Sequence, residues 1–182
     1  MSEADLLDRI LASYHEAAHV VVAYAVGWFV HHRLGVVLND HRQRANLQCA
    51  PSDNTAEASA LVSVAGNVGE RKLGGIAYLP RAEDDYLVSA LARVRNGAAN
   101  LREDDMSALD RLLQAYPGET DGQLIARYRM AEDEAAALLS ERWATVERVA
   151  QALRERGRLT RRMVERLVWS DAEGEIAADP AK

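Results

Sequence analysis

The sequence predicts a mainly α-helical (α+β) fold with a small β-hairpin or short sheet next to its first helix. Three observations carry this: apolar residues recur at three- and four-residue spacing over most of the chain, strand-like segments are confined to one short region, and Gly, Pro and Asn-Gly punctuation divides the helical stretches. With 182 residues, of which 48% are apolar, the chain can bury a real core. The domain is expected to cover 1–169, with a first half over 1–97 and a helical half over 98–169. Residues 170–182, small, polar and acidic, are expected to be disordered.

Asp5 to Gly27 reads as a helix because Ile10, Tyr14, Ala18, Val21 and Ala25 recur on one face, and Gly27 is its stop. Leu34-Gly35-Val36-Val37-Leu38 and Asn46-Leu47-Gln48-Cys49-Ala50 read as two short strands, joined through Asn39-Asp40 and a charged stretch. Asn54 with Glu57 three residues later resembles a capping box that opens a small-residue helix, Thr55 to Leu73, ended by Gly74-Gly75. Its Ala60, Val64 and Gly66 would let it pack closely on the first helix. After Pro80, the acids Glu83-Asp84-Asp85 start a helix through Leu87, Val88, Leu91 and Ala92, as the helix dipole favours, and Asn96-Gly97 ends it. Arg102 to Tyr116, Asp121 to Arg156 and Thr160 to Trp169 follow as helical segments divided by Pro117-Gly118 and Gly157. The second of them has room for an unmarked break near Ser140.

Composition narrows the function. Charged residues make up 27% with a net charge of −6, and Lys and Arg are dispersed among acids, which speaks against a nucleic-acid partner. Cys49 is the single cysteine, so no intrachain disulfide and no Cys-rich zinc knuckle is expected, and the composition suits a reducing cytoplasm. Any metal must be held by His and carboxylates. The longest apolar run, Val20 to Val30, is broken only by Gly27 and falls short of the ~20 residues a bilayer span needs. Met1-Ser2-Glu3-Ala4-Asp5 lacks the positive start of a signal peptide. A cytoplasmic protein with no membrane partner is the expectation.

The chemistry concentrates in His15-Glu16-Ala17-Ala18-His19, an HExxH pattern inside the first helix. Residues four apart stand one above the other with about 5–6 Å between Cβ atoms. Two imidazoles can then converge on one ion at about 2.0–2.1 Å each, as tetrahedral zinc requires. Glu16 is displaced around the helix, where it suits a water better than the ion, which makes it a general-base candidate. The plain alternative is an amphipathic helix with two ordinary histidines and a solvated Glu. Val22 and Ala25 stand where the long metzincin form has Gly and His, so that class is excluded. A third ligand must come from elsewhere, and His31, His32, His41, Glu70, Asp84 and Asp85 are the donors considered. His31, His32 and His41 fall in a turn and a polar loop and read as surface residues. An acid at the amino end of a packed helix is instead positioned by a rigid element.

In sequence order, the HExxH helix, Val64-Ala65-Gly66-Asn67-Val68-Gly69-Glu70, and Asp84 with Leu91-Ala92-Arg93 resemble the peptidase domain of FtsH-type ATP-dependent zinc metalloproteases. Tyr128-Arg129-Met130-Ala131, Leu138-Leu139, Val149-Ala150-Gln151-Ala152-Leu153 and Arg158-Leu159-Thr160 are similar to that domain's later helices, so the likeness spans roughly Leu7 to Val168. The resemblance implies zinc held by His15, His19 and Asp84, with Asp85 as runner-up, and Glu16 as the base. It also implies Glu70 as an acid behind a ligand imidazole, or else as an exposed helix residue. Ala18 stands where the family usually has Gly, and the family's Gly-Ala before the zinc Asp is replaced by Pro80-Arg81-Ala82-Glu83. No GxxxxGK[ST] loop is present, so the unfolding motor of the family is not expected in this chain.

The implied activity is that of a zinc metalloendopeptidase acting on a protein or peptide substrate that lies extended beside a strand such as Leu34 to Leu38. A separate ATPase or a homo-oligomer are the expected partners, and a rival reading is a helical partner-binding protein in which Asp121 to Arg156 docks on an oligomer or a separate ATPase. The alternative is a catalytically silent binding or scaffold module of the same fold.

Overall fold

The computed structural model describes residues 3–39, 42–50, 54–74, 83–97 and 104–176. Among these the chain forms α1 (Glu3–Ala25), β1 (Phe29–Val30), β2 (Val36–Asn39), β3 (Arg42–Ala45), β4 (Leu47–Gln48) and α2 (Ala56–Leu73), then α3 (Asp84–Arg95), α4 (Asp104–Ala115), α5 (Asp121–Glu141), α6 (Trp143–Arg156), β5 (Arg158–Leu159) and α7 (Arg161–Ile176). The architecture is mainly helical with a small antiparallel sheet. Among the described residues no helix is long and apolar enough to cross a membrane.

Small side chains decide how the central pair packs. Ala17 and Ala18 on α1 and Ala60, Ala65, Gly66 and Gly69 on α2 are all buried, so the two backbones approach closely. A Cβ built on Gly69 would stand 2.5 Å from the Ala18 Cβ. Helices α4 and α5 pack on α2, α6 packs on α1, and α3 lies against α4 and α5. The larger core residues, among them Leu87, Leu91, Met106, Leu109, Leu112, Tyr128, Leu139 and Leu153, fill the spaces between these helices. Burying each of those leucines is worth about 1.5–3 kcal/mol.

The ends of these helices follow local chemistry. Gly27 at φ 81° closes α1, where the Trp28 N–H donates to Ala23 O at 2.8 Å. Thr55, and not Asn54, caps α2: its hydroxyl accepts from the Ala58 N–H at 3.1 Å. Thr120 and Gln123 form a reciprocal capping box at the start of α5. The stretch from Asp121 to Arg156 is two helices broken at Arg142, and the final helix runs on through Ile176, past the point where disorder was expected. Residues 177–182 of that expected tail lie outside the described residues.

The sheet departs from the sequence reading in its partners. β2 pairs antiparallel with β3, Val36 opposite Ala45 and Asn39 opposite Arg42, so the charged stretch expected as a loop is itself a strand. Among the described residues it is an edge strand, where charged residues are tolerated. The other side of β2 pairs with β5, Val36 opposite Leu159. β4, expected beside β2, pairs with β1 in a separate two-stranded ribbon. Thus β2 is internal, and β3 is the strand that runs beside the HExxH helix with an outer edge.

Candidate metal centre

His15 and His19 lie one turn apart on α1 with their Nε2 atoms 3.1 Å from each other. Asp104, the first residue of α4, brings Oδ2 to 3.0 Å from the His15 Nε2 and 3.3 Å from the His19 Nε2. Among the described residues these three form a group able to hold one metal ion. All three side chains are largely withdrawn from solvent.

The hydrogen bonds behind the rings fix their tautomers. The His15 Nδ1 donates to Glu70 Oε1 at 2.7 Å, and the His19 Nδ1 donates to the Val62 carbonyl at 2.7 Å. A carbonyl and a carboxylate can only accept, so each neutral ring keeps its proton on Nδ1 and directs an Nε2 lone pair at the other ring and at Asp104. Asp104 Oδ2 is buried and, despite its proximity to both rings, accepts no hydrogen bond of acceptable angle. Leaving a buried charged oxygen so costs upward of about 1–3 kcal/mol. In a tetrahedral site with bonds of about 2.0–2.1 Å the donors stand about 3.3 Å apart, which matches the three distances here. The arrangement therefore suits a shared cation better than three acceptors facing each other.

Protons are the competing occupant. Burial disfavours charging His15, yet the carboxylates of Asp104 and Glu70 outweigh it and carry its pKa up to about 10. His19 is raised too, burial opposing and Asp104 favouring the charged ring. Burial would raise Asp104, but the two imidazoles pull it well below the usual carboxylate range.

Glu16 is 5% exposed and interacts electrostatically with both rings and with Asp104, while its carboxylate also meets the sheet. Asn46 N–H bonds back to Gly35 O, so by the alternation of an antiparallel ladder the Ala45 N–H faces away from β2. That outward N–H donates to the Glu16 carboxylate, yet burial still pushes the Glu16 pKa upward. An acid held above its unfolded value of 4.5 destabilises the fold once pH exceeds that value and costs nothing well below it. In chelator-treated protein, Glu16→Gln is accordingly expected to melt at a higher temperature than wild type at pH 7, with the difference closing as pH falls through 4.5. A wild type that melts higher at pH 7, or a gap independent of pH, would refute this.

Asp84 does not join the group. It opens α3, its side chain is 73% exposed, and it pairs with Arg129 on α5 at 2.6 Å. Asp85 is exposed on the same turn and is likewise outside the group. The acid that meets the rings is Asp104, because α4 packs on α2 directly beside α1 while α3 sits behind α4 and α5. The signal that could have found it is the one that singled out Asp84, an acid pair at the amino end of an amphipathic helix, which recurs at Asp104-Asp105. His31 and His32 stack on one another with ring centroids 4.8 Å apart. The His31 Nδ1 is taken by the N–H groups of Arg33 and Leu34, and neither ring joins the group. His41 lies outside the described residues.

Comparison of the chain with models of known protein families finds no match, and neither does comparison with curated proteins.

Proposed function

We propose that the protein is a zinc-dependent endopeptidase with an FtsH-like peptidase fold. The observation that carries this reading is the convergence of two imidazole nitrogens and one carboxylate oxygen within 3.3 Å of one another, with the buried Glu16 on the same helix. His15, His19 and Asp104 would hold the ion. Three protein ligands of N and O type that leave a fourth position open are the pattern of catalytic zinc. Zinc supplies Lewis acidity there, making water acidic near neutral pH and polarising a carbonyl.

The chain's own groups do the rest. Glu16, lifted above the usual carboxylate range by burial, takes a proton from water and returns it to the leaving amine, since a base nearer neutrality moves protons in both directions. Glu70 and the Val62 carbonyl hold the two imidazoles in the tautomer that frees Nε2. The outer edge of β3, reached by Glu16 through the Ala45 N–H, suits an extended peptide added as a further strand. The order of the HExxH helix, the small-residue helix and the acid-headed helices supports the family likeness.

The test is hydrolysis of an unstructured protein such as casein, with zinc content measured on the same samples. Glu16→Gln is expected to keep its zinc and lose about 10²–10⁴-fold in kcat/KM. A zinc-loaded wild type no more active than Glu16→Gln would overturn the reading.

A further inference from the structure

Directly behind the metal group lies a second polar cluster that takes no part in binding the ion. Asp105 follows Asp104 in the first turn of α4 and is turned about 100° around the helix. Its Oδ1 accepts two hydrogen bonds, from Asn67 Nδ2 on α2 at 2.8 Å and from the Tyr128 hydroxyl on α5 at 2.7 Å. Three helices thus meet on one carboxylate oxygen. Tyr128 is fully buried, so its hydroxyl depends on this bond.

The placement of Asn67 gives the cluster its meaning. It adjoins Gly66, whose missing Cβ leaves the room taken by the His15 and His19 rings. One helix, α2, therefore holds the rings through Val62 and Glu70 and holds the start of α4 through Asn67. The distances from Asp104 Oδ2 to the rings are set by where α4 begins relative to α2, and apolar packing alone lets a helix end slip and fray. Two hydrogen bonds converging on the adjacent residue remove that freedom.

We propose that Asn67, Asp105 and Tyr128 are positioning residues that clamp the first turn of α4 and so hold Asp104 at the ion. The inference rests on the metal-binding reading above. Groups that orient metal ligands from behind are worth about 10–100-fold in metal affinity. Tyr128→Phe and Asn67→Ala are each expected to weaken zinc binding by that factor, measured by competition with a chromophoric chelator on full-length protein. Asp105→Asn, turned to keep its acceptor oxygen toward the two donors, is expected to recover most of the loss seen in Asp105→Ala. In an Asp104→Ala background, Tyr128→Phe is expected to change zinc affinity by less than about 2-fold, because the group it positions is gone.

Zinc affinities of Tyr128→Phe and Asn67→Ala within about 2-fold of wild type would overturn the clamp, as would an equal loss with and without Asp104. If wild type binds no zinc, or Asp104→Ala binds it as tightly as wild type, the metal reading itself fails and takes the clamp with it. Melting of the zinc-free variants in parallel separates lost positioning from lost folding, since a purely structural role lowers the midpoint and leaves affinity unchanged.

Discussion

Asp104→Ala is expected to lower zinc affinity by more than about 100-fold, beyond the range for groups that merely orient ligands, and to bring peptide hydrolysis to the level of Glu16→Gln. The parallel change Asp84→Ala is expected to leave both within about 2-fold of wild type, since it removes only an exposed ion pair worth about 0–1 kcal/mol. The contrast follows from surroundings and not from residue type. Asp104 Oδ2 is buried between two Nε2 atoms and accepts no hydrogen bond, whereas Asp84 is largely exposed and lies against Arg129. Arg129 keeps its second carboxylate, Glu132, at 2.8 Å when Asp84 is removed. Equilibrium dialysis against zinc, followed by metal analysis, reads both variants. Zinc lost from Asp84→Ala and kept by Asp104→Ala would return the third ligand to α3 and refute the geometry.

That choice between two acids marks where sequence reasoning stopped. Both α3 and α4 begin with Asp-Asp followed by apolar residues at helical spacing, Leu87, Leu91 and Val94 in one, Ala108, Leu109 and Leu112 in the other. Periodicity says that each helix has a buried face but not which neighbour that face meets, because the neighbour is fixed by long-range packing. The two histidines were legible for the opposite reason, since residues four apart on a helix share a face whatever packs against it. Glu70 was expected behind a ligand imidazole only through the family resemblance, because its bond to His15 requires the crossing of α1 and α2. The charged strand Arg42–Ala45 was missed because its pairing with β2 lies in the backbone, on an edge that does not select apolar side chains. The break at Arg142 carries neither Gly nor Pro and so left no local mark.

Gly66→Ala is expected to abolish tight zinc binding and lower the melting midpoint, although an Ala in an unobstructed helix interior stabilises by about 0.5–1 kcal/mol relative to Gly. The reversal of sign comes from space. A Cβ on Gly66 would stand 2.5 Å from Cε1 and Nε2 of His15 and from Nε2 of His19, well inside contact distance. Neither ring can retreat while keeping its Nδ1 bond to Glu70 or Val62. Relief must come from separating α1 and α2 or from turning a ring away, and overpacking of this kind costs about 1–3 kcal/mol. Gly69→Ala separates the two routes, because its Cβ would meet the Ala18 Cβ at 2.5 Å and no ring atom. It is expected to lower the midpoint by a similar amount while weakening zinc binding far less. Gly122→Ala, with nothing within 4 Å of the added Cβ, is the control expected to leave both properties at or above wild type. A Gly66→Ala protein that binds zinc like wild type would mean that the rings do not occupy the space α2 leaves open. Two neutral imidazoles and a carboxylate can share an ion in this fold only if that space is theirs.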